Sequence, residues 1–169
     1  MENATHPDLE RLILLLQDIG EDGREAIGLL PMPSLRHCGY SQAPRNSLSF
    51  ATTGGDGVHF SLLALDDTAT ASWPVVMTVP MNFGEENLIV GADLREFLGL
   101  GLRHGYFELE QMLYKPDETI AWLDHDSDQT PRSADKVRAL AAIRRTFEIS
   151  PWENHGPRIA ELQANFPLN

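Results

Sequence analysis

The sequence of 169 residues holds a single cysteine, no Lys or Arg between Arg45 and Arg95, and no apolar run long enough to span a bilayer. Cys38 has no partner for an internal disulfide, so nothing points to a scaffold built for an oxidising compartment. The longest N-terminal apolar run, residues 12–16, is too short for a membrane span and lacks the basic flank and small-residue cleavage site of a secretory signal. The expectation is a cytoplasmic protein without membrane association. Gly-x-Ser-x-Gly, a phosphate loop ending in Gly-Lys-Ser/Thr and His-Glu-x-x-His are all missing. Gly55-Asp-Gly-Val-His-Phe opens like a dinucleotide fingerprint, but Phe60 stands where the third glycine belongs and the surroundings are those of a hairpin. No cofactor is expected.

What is present is acidic charge, unevenly spread. The net charge is −12. Residues 46–94 carry Asp56, Asp66, Asp67, Glu85, Glu86 and Asp93 without one basic residue, while residues 104–131 set Lys115 against seven carboxylates. The charges of the rest of the chain cancel. A field of this kind repels nucleic acid and anionic membrane and speeds encounter with a cationic protein; its bland alternative is a solvated surface that maintains solubility. Asp66, Asp67, Glu85 and Glu86 lie in predicted loops with no local basic partner and are the candidate partner-binding residues.

The length fits one domain, which buries roughly 70% of its unfolded surface. Residues 47–65 read as a β-hairpin: Leu48, Phe50 and Thr52, then Val58, Phe60 and Leu62, alternate on either side of Gly54, Gly55, Asp56 and Gly57, which tolerate positive φ. Before it, Pro7, Asp8 and Glu10 open a helix whose stripe of Leu9, Leu12, Ile13, Leu16 and Ile19 runs to Gly20, and prolines 31, 33 and 44 mark residues 29–46 as an irregular connector. After it come a strand between Pro74 and Pro80, a short strand at Leu88-Ile-Val, and a helix capped by Asp93 with Glu96 three residues on. Helical pieces follow at residues 106–114 and 115–123. A longer helix spans residues 134–147, with Val137, Leu140, Ile143 and Phe147 on its apolar side, and a final turn or two centres on Ile159 and Leu162.

Chemistry-bearing residues are few. His37 and Cys38 are neighbours without the second Cys/His pair of a zinc site, so no metal is expected, and Cys38 reads as a buried spectator unless His59 or His104 is brought to it. On a strand His59 points opposite to Phe60, toward solvent or a ligand, and His104 lies at helical spacing from Glu108, which outlines an acid–base pair. Asp124, Asp126, Asp128 and Asp135 echo a calcium loop, but Gln129 replaces the glycine, Asp135 replaces the bidentate Glu and Pro131 interrupts; a solvated loop with a Thr130-Pro131 or Ser133 cap is expected instead.

The N-terminal helix, the proline-interrupted connector, Phe50-Ala-Thr-Thr-Gly-Gly and the Asp93-Leu-Arg-Glu-Phe-Leu helix together resemble the SUKH superfamily, which contains a yeast cell-wall assembly regulator and many bacterial toxin-immunity proteins. The resemblance covers roughly residues 7–113; Leu30-Pro-Met-Pro33 stands where that group often has Trp-Leu-Pro. It implies one α+β domain over residues 1–169, a mainly antiparallel twisted sheet of about four or more strands covered by N- and C-terminal helices, with a helical C-terminal extension. It further implies a non-enzymatic protein-interaction module without catalytic residues, often an antidote to a basic toxin such as a nuclease. Two alternatives stay open: a small hydrolase or ligand-binding protein using His59 or His104, and a subunit held through an apolar patch around Trp73, Phe83 and Trp152.

Overall fold

The computed structural model describes residues 6–65, 69–125 and 132–168. Its centre is a five-stranded antiparallel meander in the order β1 (Leu30–Arg36), β2 (Ser47–Thr52), β3 (His59–Leu63), β4 (Val75–Thr78) and β5 (Asn87–Gly91). Helices α1 (Pro7–Ile27), α2 (Leu94–Leu100), α3 (Gln111–Tyr114), α4 (Pro116–Asp124), α5 (Ala134–Phe147) and α6 (His155–Asn165) surround it. The chain is therefore α+β, as expected, and no helix of the described residues is long and apolar enough to cross a membrane.

The central hairpin forms as the alternation predicts, with Ser47 opposite Leu63, Ser49 opposite Ser61 and Thr52 opposite His59. A bulge between Ser49 and Ala51 lets both Phe50 and Ala51 face the main core. There Phe97 of α2 meets Phe60 at 4.7 Å, Tyr106 at 5.2 Å and Phe50 at 5.9 Å between ring centroids. Leu12 and Leu16 of α1 and Ile143 and Phe147 of α5 close this side. Burial of such side chains contributes about 1.5–3 kcal/mol each, enough to make this face the main source of stability.

The opposite face of the sheet is divided. Leu63, Val76 and Ile89 pack under Leu162 of α6, whereas Ser49, Ser61, His59 and Thr78 form a buried polar stripe. Residues 37–46 cross this face as a strap. They are tied down by Asn87 Nδ2 donating to the Gln42 carbonyl (2.8 Å) and Ser47 Oγ donating to the Pro44 carbonyl (2.6 Å). Within the stripe, Ser49 and Ser61 hydroxyls bond each other at 2.8 Å and Thr78 donates to Asn87 Oδ1 at 2.7 Å. The polar side chains are thus satisfied without water.

Several elements differ from expectation. Residues 30–36, read as irregular, are a strand; β1 sits at the sheet edge, where Pro31 and Pro33 cost no ladder bond needed by a further neighbour. Helix α1 continues beyond Gly20, which kinks it with φ 80° and ψ 175°, to a C-terminus at Gly28 where Leu29 N–H reaches back to the Arg24 carbonyl (3.1 Å). Helix α6 is longer than a turn or two because Pro157 falls in its first turn, where a missing amide proton is harmless. On α5 the expected Leu140, Ile143 and Phe147 are buried, but Val137 lies 50% exposed and Ala139 is buried in addition. Both expected caps are formed: Asp93 accepts from Glu96 N–H at 2.8 Å and Ser133 from Lys136 N–H at 3.1 Å. Thr130 and Pro131 lie outside the described residues.

Helices α1, α2 and α6 are cross-linked by charge. Arg95 donates to both Asp8 oxygens (2.7 and 3.0 Å), and Arg158 holds Glu96 (2.6 and 3.1 Å) and Glu161 (2.8 Å). The Trp152 indole donates to the Glu96 carbonyl at 2.8 Å.

Candidate protein-interaction face

In an up-and-down meander alternate turns leave the same end. Here the β2–β3 turn and the β4–β5 loop share one end of the sheet, with Phe107–Glu110, a single 3₁₀ turn, beside them. The β2–β3 turn is closed by Val58 N–H donating to the Gly55 carbonyl (3.0 Å), and Asp56 and Gly57 take positive φ of 49° and 74°. That backbone is why the sequence places Gly and Asp here. Gly57 is also a close approach: a Cβ there would lie 2.7 Å from Tyr40 Oη and 3.5 Å from Pro80 Cγ. A Cβ on Gly55 would lie 3.3 Å from the Phe107 ring. The turn, Tyr40, the start of the β4–β5 loop and Phe107 are therefore contiguous.

The β4–β5 loop holds its own shape. Val79 N–H donates to Glu86 O (2.7 Å), Glu85 N–H to Asn82 O (3.1 Å), Asn82 Nδ2 to Glu85 O (2.6 Å) and Gly84 N–H to Glu86 Oε1 (3.0 Å). These bonds leave Phe83 77% and Met81 58% exposed. Glu85 is exposed and Glu86 half-buried, and among the described residues no basic side chain pairs with either. The companion candidates Asp66 and Asp67 lie outside the described residues; Leu63 and Val75, which flank them in sequence, are at the other end of the sheet from Glu85 and Glu86.

On the other side of the turn the two acidic segments of the sequence meet. Burial raises the Glu110 carboxyl above its ordinary range, the negative charges of Asp56 and Glu108 raise it further, and the bond from Gln111 opposes them. Burial, Glu110 and Asp56 likewise raise the Tyr114 phenol. Phe107 and Tyr114 are 47% and 42% exposed here. Sequence reasoning missed this cluster because charge was summed along the chain, and only the fold sets Asp56 against Glu110.

The histidines divide. His59 faces away from Phe60 as alternation requires, but the strap leaves it 2% exposed, so it does not point to solvent. Cys38 is half-buried, and its Sγ lies 3.0 Å from His59 Nε2. The ring is stacked on Tyr40 (5.6 Å, 18°) and its Nδ1 bonds the Gly57 carbonyl at 2.8 Å. Burial holds His59 below the usual histidine value; the Gly57 bond opposes this and the charge of His37 reinforces it. His104 stands apart, stacked on Trp122 at 4.1 Å with Nε2 toward the His125 carbonyl (3.3 Å) and not toward Glu108. Among the described residues a histidine–carboxylate pair is formed by His155, whose Nδ1 lies 2.6 Å from Asp124 Oδ1.

That contact also engages the first residue of the calcium-like loop, Asp135 pairs with Arg138, and Asp126 and Asp128 lie outside the described residues. Among the described residues no three His, Cys, Asp or Glu side chains converge as metal ligands. Of the proposed apolar patch only Phe83 is open, since Trp73 and Trp152 are half-buried against the core. Five grooves on the described surface are lined by neither histidine nor cysteine. No family model matches the chain, and no curated protein or solved structure matches it.

Proposed function

We propose that the protein is a non-enzymatic interaction module that captures a basic protein on this acidic and aromatic end of the sheet. The observation that carries the reading is Phe83, held 77% exposed at the tip of a hydrogen-bonded loop beside Glu85. An aromatic side chain displayed on rigid backbone loses little entropy on binding and is the kind of residue that dominates interface energy. Glu85 and Glu86 on the same loop, and Asp56, Glu108 and Glu110 beside the neighbouring β2–β3 turn, steer a cationic partner and exclude anionic ones. The SUKH resemblance extends this reading to a cytoplasmic immunity protein whose carboxylates occupy the phosphate-binding surface of a nuclease-type toxin.

The test is parallel affinity capture from lysate of the source cell with the wild type, Phe83→Ala, and the Glu85→Lys/Glu86→Lys double variant, at low and high salt, with quantitative mass spectrometry. One basic protein should be retained by the wild type, weakened by salt, and reduced at least about tenfold by Phe83→Ala, as for an interface anchor. The charge-reversed bait should lose the salt dependence. Retention indifferent to both variants removes this face from the reading, and the absence of any basic partner at either salt removes electrostatic capture.

A further inference from the structure

The Cys38–His59 pair is not used by the interaction reading and is built differently from a spectator thiol. A backbone carbonyl only accepts, so the 2.8 Å contact to Gly57 assigns the His59 proton to Nδ1. Nε2 then presents its lone pair to Cys38 Sγ at 3.0 Å, and the thiol donates to it. Tyr40 stacks on the ring; burial keeps the imidazole neutral, with the Nε2 lone pair free for the thiol proton, and lowers its basicity, which the Gly57 bond in part restores. Nucleophile, base and a third group orienting the base are the parts of an activated thiol. Cys38 is half-buried in the strap, between half-buried His37 and exposed Gly39, so the residue as a whole is not sealed from solvent.

We propose that Cys38 is a base-activated modification site that exchanges with small-molecule disulfides, His59 serving as its proton acceptor. The choice of electrophile follows from the surroundings. Acyl transfer needs a cleft and donors aimed at an oxyanion, and none of the five grooves is lined by Cys38. Disulfide exchange develops no oxyanion and needs only access to sulfur. The thiol proton passes to His59 Nε2 as Sγ bonds one sulfur of the disulfide, the original S–S bond breaks, and the departing thiolate takes the proton back from His59. The products are a mixed disulfide at Cys38 and one free small thiol, with no external oxidant. The adduct removes Sγ from His59, and with it a fastening of the strap that carries Tyr40 to the sheet end.

Because Cys38 is the only cysteine, the unfolded chain supplies the reference rate. Reduced full-length protein is mixed with glutathione disulfide at pH 7, natively and in urea, and adduct formation is followed by intact-mass spectrometry. The native chain should react faster, by roughly threefold, although folding half-buries Cys38, and His59→Gln, shown folded by circular dichroism, should slow the native reaction on the order of tenfold. A native rate equal to or below that in urea overturns the proposal without any variant. A folded His59→Gln protein that reacts as fast as the wild type overturns it too.

Discussion

Gln163 closes the β5 edge of the sheet from helix α6, and its removal has a calculable cost. Its Oε1 accepts from Ile89 N–H at 2.9 Å and its Nε2 donates to the Ile89 carbonyl at 2.8 Å, so one amide side chain imitates a neighbouring strand on β5. Ile89 is fully buried. Gln163→Ala leaves a buried donor and acceptor unpaired, each costing about 1–3 kcal/mol; because Gln163 itself is only half-buried, water softens the loss, and about 2–3 kcal/mol is expected. For a chain of this size that is a fall in Tm of roughly 5–10 °C. Gln163→Glu is the diagnostic companion. An ionised carboxylate still accepts from Ile89 N–H but faces the carbonyl with lone pairs, so at pH 7 it should be no better than alanine. Its carboxyl is raised in the folded state above the unfolded value of about 4.3. Stability relative to wild type should therefore return as pH falls through the folded value, because the protonated acid can donate to the Ile89 carbonyl. Urea denaturation at pH 7 and pH 4 measures both differences. A loss below about 0.5 kcal/mol for Gln163→Ala, or a Gln163→Glu penalty that does not change with pH, would refute the strand-mimic argument.

The Arg95 guanidinium holds the Asp8 carboxyl below its ordinary value, against a smaller opposing effect of burial. That contribution is present above about pH 4 and lost as pH falls through the depressed folded value; since the Arg95 side chain is 46% exposed, solvent screening limits it to under about 1 kcal/mol. Asp8→Asn should thus lower the urea midpoint at pH 7 and leave it unchanged at pH 2, where a persistent difference would assign its effect to something other than charge. Phe83→Ala should alter stability by less than about 0.5 kcal/mol in the same assay, because the ring makes few contacts to lose at 77% exposure.

The parts of the fold that were legible carry their own backbone chemistry. Gly54, Gly55, Asp56 and Gly57 between alternating runs, Asp93 ahead of Glu96, and Ser133 ahead of a helical stripe each specify a local geometry that the structure contains. Strand β1 was illegible because Pro31 and Pro33 break a strand in the middle of a sheet but not at its edge, and edge position belongs to topology. His59 shows the same division within one residue: alternation gives the face to which it points, and nothing local announces that residues 37–46 cover that face. Cys38 and His59 meet for the same reason, through a strap whose path is fixed by Gln42 and Pro44 contacts with other strands. Of the candidate site, Glu85 and Glu86 were readable as unpaired loop charge, whereas the Asp56–Glu108–Glu110 cluster required the fold.

That cluster makes an argument about function through stability. Glu110 is half-buried, faces two like charges, and among the described residues its side-chain bond is the 3.4 Å contact from Gln111 Nε2. A group whose carboxyl is raised on folding penalises the folded state wherever it is ionised, so the penalty is fully present at pH 7 and disappears as pH falls through the raised value. Glu110→Gln should therefore stabilise the free protein at pH 7 by about 0.5–1 kcal/mol, discounted for exposure, and by nothing near pH 3, where both side chains are neutral. A fold under selection for stability alone would discard such a charge, whereas a surface that receives a cation retains it, because the partner's Lys or Arg relieves the repulsion on binding. The same variant should then bind the basic partner more weakly and with a shallower salt dependence. If Glu110→Gln is less stable than wild type at pH 7, the Gln111 bond outweighs the repulsion, the charge is structural, and this side of the face loses its claim to a partner.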